Sequence, residues 1–308
     1  MEYGHNEPPQ PKPVLAVYQA IWALDRYTGE GREWTLEEKL ERIAAAGFQG
    51  VFGRLPEPGM EERWRRLQAK HGLAFGVESF PMDVSDFRPF LERAKAFDVA
   101  YVNAQVGTGF LVGERAVDTL AGLMEEAERS GFPFYVETHR GRVTQDLLRT
   151  ADYVRQLPGL RLTIDFSHYV LAGELTAPSE EAEPYFDELL QRTSSIHGRV
   201  SNGEQIQIDI GAGDHPKAEP FKRWWEKGMR YWYAQAKPGE VLPFVCEIGR
   251  HYAITRRRTA ERRLGGRAVR PLGAVACDET GGGGSLEQSG GRTAGIRRKR
   301  SRKPGRSQ

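Results

Sequence analysis

Apolar runs of four to six residues recur along this chain, and nearly all are followed by a stretch with helical spacing. The runs fall at 14–19, 48–53, 73–78, 99–103, 133–137, 162–165, 194–199 and 242–247. Between them the pattern predicts helices. One opens at Thr35, with Glu38 completing a capping box, and ends near Gly47. Others are expected at 60–71, closed by Gly72, and at 85–97, capped by Ser85. Further helices are expected at 114–130, stopped by Gly131, and at 144–156, 181–192 and 219–236. The strands show little polar alternation, as expected where both faces of a parallel sheet are covered. Eight such units favour a closed (β/α)8 barrel over an open doubly wound sheet. No Gly-rich phosphate loop follows any strand, which counts further against a dinucleotide fold.

Several strands end in the same chemistry. Run five ends on Glu137, run six on Asp165, and run eight on Glu247, while run seven carries His197. In barrels of this kind the site lies at the carboxyl ends of the strands. Three carboxylates and one imidazole gathered there would suit one divalent cation such as Mn²⁺, Mg²⁺ or Co²⁺ better than a thiolate-loving metal, with Zn²⁺ also possible. The competing reading for any one of them is a strand-end residue that caps a loop or pairs with an arginine. His168, three residues past Asp165 and placed in the following loop, is a candidate ligand or substrate donor. Arg199 is expected either to hold a substrate oxygen or to pair with Asp165 or Glu137. His139 and Arg140 are expected around the site, and Glu78 and Asn103 end strands three and four and would line the pocket. Trp22, Trp34, Trp224 and Trp225 fit helix packing better than a sugar platform.

Charge changes the picture at the far end. Of 44 Lys/Arg and 42 Asp/Glu, residues 250–308 hold 16 and 4, leaving 28 and 38 in residues 1–249. The body is acidic and lacks the basic track that nucleic acid requires. The tail, with Arg256-Arg257-Arg258, Gly281 to Gly284 and Arg297-Arg298-Lys299-Arg300, has no apolar period and is expected to be disordered. It stands where the eighth helix should be, so that helix is expected to be atypical or missing, and a frameshifted end is the favoured explanation. Nonspecific nucleic-acid binding through this tail is the only such partner expected. The division is therefore a disordered leader at 1–13, a catalytic barrel at 14–249 and the tail. Two cysteines, Cys246 and Cys277, exclude a disulfide framework. The polar, Pro-rich start lacks a signal-peptide pattern and no run is long enough to span a bilayer, so a cytoplasmic setting is expected.

The segments Val136-Glu137-Thr138-His139-Arg140, Ile164-Asp165-Phe166-Ser167-His168, Ile196-His197-Gly198-Arg199-Val200 and Cys246-Glu247-Ile248-Gly249 resemble the xylose isomerase-like TIM-barrel superfamily. Within it the chain is similar to the sugar phosphate isomerase/epimerase group, over residues 14–249. The resemblance implies one divalent metal, often Mn²⁺, on Glu137, Asp165, His197 and Glu247. It also implies substrate oxygens on His168 and Arg199. The expected activity is isomerisation or epimerisation of a sugar or keto-polyol through a metal-stabilised enediolate. Glu137 and Glu247 would move the proton. Glu78, Asn103 and His139 are expected in substrate binding. A dehydratase on the same scaffold is the first alternative, and an inactive barrel or a nucleic-acid binder acting through the tail is the second. A multi-zinc nuclease would need more than the seven histidines present, since His5 and His251 lie outside the strands.

Overall fold

The computed structural model describes residues 11–25, 28–29 and 32–248. Eight parallel strands close into a barrel: β1 (Val14–Ala20), β2 (Gly50–Arg54), β3 (Ala74–Ser79), β4 (Val99–Ala104), β5 (Phe134–Glu137), β6 (Leu162–Ile164), β7 (Thr193–Gly198) and β8 (Val241–Cys246). The seam is β1 against β8, in register from Val14↔Val241 to Gln19↔Cys246. The connecting helices are α1 (Leu36–Ala45), α2 (Glu61–His71), α3 (Val84–Ala94), α4 (Glu114–Ser130) and α5 (Leu147–Gln156). Then come α6 (Ser167–Ala172), α7 (Glu183–Leu190) and α8 (Ala218–Gln235). The (β/α)8 architecture expected from the alternation is therefore the fold. The expectation of an atypical or missing eighth helix, the tail and the leader up to residue 10 fall outside the described residues.

Local chemistry explains the ends of these elements. Thr35 accepts from the Glu38 amide while Glu38 accepts from the Thr35 amide, so the expected capping box forms. Gly72 and Gly131 close α2 and α4 in the left-handed region, at φ 62° and 78°. Two starts differ from expectation. Asp83, not Ser85, caps α3, because its carboxylate accepts from the amides of both Ser85 and Asp86. Helix α5 begins at Leu147 behind the cap Asp146, not at Thr144. The Thr144 hydroxyl is engaged elsewhere, donating to the Glu137 carbonyl at 2.6 Å. Several short elements were not anticipated, among them a 3-10 turn at Ile21–Leu24, a small hairpin pairing Thr28–Gly29 with Arg32–Glu33, and the short helix α6 in the loop expected to hold His168.

Aromatic rings fill the barrel interior, and glycines on neighbouring strands make room for them. A Cβ on Gly50 would overlap the Tyr18 ring, and one on Gly76 would overlap the Tyr101 ring. Tyr101 meets Tyr18 edge-on at 5.8 Å and stacks on Phe52 at 6.2 Å and on Tyr135 at 5.5 Å. Outside the barrel, Phe166 packs on Phe186 of α7 at 4.6 Å and on Trp224 of α8 at 5.7 Å. Such pairs contribute about 0.5–1.5 kcal/mol each beyond their buried area. Phe166 directly follows Asp165, so this cluster fixes where that carboxylate sits.

Candidate metal centre

The carboxyl ends of β5 to β8 bring Glu137, Asp165, His197 and Glu247 to one place. All four are at most 3% exposed, in a chain where charged side chains normally face water. Glu137 closes β5 and His197 lies within β7, while Asp165 and Glu247 each sit one residue past their strands. One donor atom from each of Glu137, Asp165 and His197 falls within a 4.8 Å group. Glu247 stands beside them, its Oε1 3.1 Å from His197 Nδ1. Oxygen and nitrogen ligands at about 2.0–2.2 Å from a shared cation stand no more than about 4.4 Å apart, so small side-chain shifts would complete a shell.

Each carboxylate is held from one side. Glu137 Oε2 accepts from Asn103 Nδ2 at 2.7 Å and from Gln105 Nε2 at 3.2 Å. Its other oxygen, Oε1, is buried with no hydrogen-bond partner, 3.7 Å from His197 Nδ1. His197 Nε2 is likewise buried and unpartnered, and its ring rests edge-on against Phe52 at 5.0 Å. Asp165 Oδ1 accepts from the Ser167 amide at 3.1 Å and hydroxyl at 2.5 Å, a local turn that launches α6. Asp165 Oδ2 accepts from Arg199 Nε at 3.2 Å and from an Arg199 terminal nitrogen at 2.5 Å. That same nitrogen reaches Glu247 Oε2 at 2.8 Å. The expected pairing of Arg199 with Asp165 is present, and its second carboxylate is Glu247.

The proton affinities follow from burial and charge. Burial works against charge on Glu137, but His197 beside it outweighs burial and holds the carboxyl well below the ordinary carboxylate range. Glu247 is lowered in the same way, by His197 and then Arg199. His197 is in turn raised against burial by Glu247 and Glu137. At Asp165 burial pushes the carboxyl up against the pull of Arg199, and the like charges of Glu247 and Glu137 add to the rise. His168 is driven well down by burial and by the nearby His139, Arg199 and Arg140, so it is neutral at neutral pH. Burial, then the charges of Glu137 and Glu247, push Glu78 up to about 8.

Around this centre stand the other expected residues. His168 Nε2 lies 3.2 Å from Arg199 and its Nδ1 3.2 Å from Arg140. The His139 ring lies 3.8 Å from the His168 ring, and Glu137, His139 and His168 form a second group with donor atoms within 4.8 Å. Glu78 lies beside Asn103 in the β3–β4 register and is reached by Gln105 Nε2 at 3.0 Å. Gln105 was not singled out in the sequence. Its signal was available, since it lies two residues beyond Asn103 and so on the same side of an extended chain. Thr138 and Thr144 were also missed. Thr138 Oγ1 accepts from the Asp165 amide at 2.8 Å, and Thr144 Oγ1 accepts from the His139 amide at 3.1 Å.

No protein-family model matches the chain, and no curated protein matches it. Solved structures do. A xylose isomerase-like TIM-barrel protein from Mycobacterium smegmatis, in complex with magnesium, aligns at 12% identity with a TM-score of 0.52, over 80% of this chain and 91% of that one. The fold is that of the xylose isomerase-like TIM barrels. A family 2 AP endonuclease from Brucella melitensis shares it at 15% identity and a TM-score of 0.54, over 77% of this chain and 95% of that one. Among the described residues no helix is long and apolar enough to cross a membrane.

The donor set fits a hard or borderline divalent cation. In the metal-free site a protonated His197 and Arg199 stand against three carboxylates; a divalent ion would displace the His197 proton and balance the two negative charges then left over. The unpartnered Glu137 Oε1 and His197 Nε2 offer it open lone pairs.

Proposed function

We propose that this chain is a divalent-metal-dependent isomerase or epimerase of a sugar or other keto-polyol. The observation that carries the reading is the pair of buried, unpartnered atoms Glu137 Oε1 and His197 Nε2 standing beside Asp165 and Glu247. An unmet buried polar group costs about 1–3 kcal/mol, a cost that a bound cation would remove. Glu137, Asp165, His197 and Glu247 would hold it, and it would polarise a substrate carbonyl as a Lewis acid.

The chain's own residues supply the proton chemistry. Glu137 and Glu247 lie 3.7 and 3.1 Å from His197 Nδ1, and in the metal-free protein the charge of His197 holds both carboxyls below the ordinary range. One takes a proton from the carbon beside the carbonyl and the other returns a proton to the product. The amides of Asn103 and Gln105 fix the orientation of Glu137. Neutral His168 and the Arg199 guanidinium hold substrate oxygens, with His139 packed behind His168. Glu78, whose proton affinity is raised by burial and then by the charges of Glu137 and Glu247, would donate to a substrate hydroxyl.

Incubation of the metal-loaded protein with ketoses and aldoses in D₂O, followed by proton NMR, tests this. Manganese and magnesium are the first ions to supply, the second because the M. smegmatis neighbour is a magnesium complex. Deuterium should enter at the carbon beside the carbonyl as isomer or epimer accumulates. Loaded protein that gives neither exchange nor product across the panel would reject the reading.

Glu78 favours a second reading, a dehydratase on the same site. A buried carboxyl with a raised proton affinity can protonate a departing hydroxyl. An ultraviolet-absorbing enone product would mark that outcome. Nuclease activity is not proposed, because residues 1–249 carry 28 basic against 38 acidic side chains.

A further inference from the structure

The four residues assigned to the cation are not equally ready for it. Glu137 Oε1 and His197 Nε2 are open, whereas Glu247 Oε2 accepts no hydrogen bond but lies at ion-pair distance from Arg199. Asp165 has both oxygens engaged, Oδ1 by Ser167 and Oδ2 by two nitrogens of Arg199. The terminal nitrogen of Arg199 that lies 2.5 Å from Asp165 Oδ2 also lies 2.8 Å from Glu247 Oε2. A positive group already sits on the oxygens that a metal would need, and it sits there at 4% exposure, away from water.

We propose that Arg199 is a latch on the cation site, spanning Asp165 and Glu247 as an internal counter-ion and withdrawing from both before they can ligate a metal. This rests on the reading of these residues as a metal centre. The physical basis is competition. A guanidinium and a divalent ion cannot share the same carboxylate lone pairs, and their like charges repel strongly at such distances. The span depends on shape as well as charge. Arginine directs several donors from one planar fork, so it engages Asp165 through two nitrogens and still reaches Glu247. A lysine ammonium carries the same charge on one flexible point and cannot make that arrangement.

The released guanidinium then needs an acceptor, because a buried unpaired charge is costly. A substrate oxygen at the mouth supplies one. Cation and oxygen-rich substrate therefore favour each other's binding, in both directions and by the same factor.

The test compares Mn²⁺ binding to the full chain by calorimetry for the wild type, Arg199→Lys and Arg199→Gln. The wild type should take up Mn²⁺, and both variants should bind it at least about tenfold more tightly. The gain in melting temperature produced by Mn²⁺ should be larger in both, a readout that holds even where the metal-free variant is weakly folded. Tighter binding in Arg199→Gln with wild-type binding in Arg199→Lys would show that charge alone matters and would overturn the latch. Unchanged or weaker binding in both would also overturn it. A wild type that binds no Mn²⁺ would instead remove the metal centre itself, and the latch with it.

Discussion

The side-chain amide of Asn103 donates to Glu137 Oε2 at 2.7 Å, while the opposite oxygen of that carboxylate meets no donor. One carboxylate thus has an anchored oxygen and an open one. The anchor comes from the neighbouring strand β4, whose register places Asn103 beside Tyr135, two residues before Glu137. Removing it should let the carboxylate rotate. Asn103→Leu is expected to weaken Mn²⁺ binding about 10–100-fold, the usual cost of losing a group that orients a ligand. Calorimetric titration checks this, and affinity equal to the wild type would show that Glu137 is held by other means.

Glu137→Gln keeps the size of the side chain and removes its basicity. Solvent deuterium incorporation into substrate should fall by about 10²–10⁴-fold, the range for loss of one general base. Single-turnover NMR on the loaded variant measures it. Exchange at the wild-type rate would assign the proton to Glu247 or to another group.

Glu78 gives a pH signature to the metal-free protein. An unfolded glutamate loses its proton near about 4.3, whereas Glu78 in the fold keeps it up to about 8. Between those values the native state binds more protons than the unfolded one. Its stability therefore falls as pH rises through that window and levels off above it. The slope is up to about 1.4 kcal/mol per pH unit for one proton. Glu78→Gln should lack this fall, so wild type should lose ground against the variant between pH 5 and 8. Denaturant midpoints measured in chelator test it, and parallel profiles would contradict it.

The tyrosine-filled interior leaves no room at Gly76. Gly76→Ala would press a methyl group into the Tyr101 ring and should cost about 1–3 kcal/mol, visible as a lower denaturant midpoint. At the surface, Thr35→Ala removes half of the capping box and should cost about 1 kcal/mol. A Gly76→Ala midpoint equal to the wild type would show that the interior yields more than its ring contacts indicate.

The barrel was legible because most strands are apolar on both faces and helices α2 and α4 end on glycine stops, although β7, Thr193–Gly198, is largely polar. Thr35, Gly72 and Gly131 act through contacts within a few residues, so sequence displays them. The gathering of Glu137, Asp165, His197 and Glu247 was also legible, since a parallel barrel brings all carboxyl strand ends to one mouth. What sequence did not display depends on competition for partners. Thr144 looks like a helix start until its hydroxyl is seen bonded to the Glu137 carbonyl, which leaves Asp146 to cap α5. Helix α6 is too short for a period and owes its start to the turn that Asp165 makes with Ser167. Arg199 could be expected near Asp165, but its reach to Glu247 follows from the seating of β7 against β8, which only the closed sheet defines.

The seam between β1 and β8 joins the first barrel strand to the last, and Glu247 stands one residue beyond it. During synthesis, seven strands and three of the four mouth residues, Glu137, Asp165 and His197, emerge before this one. The ring cannot be sealed, nor the donor set finished, until β8 finds β1. Sealing and completion are therefore a single event, and an ion bound tightly by all four residues would report that the newly made chain had finished folding.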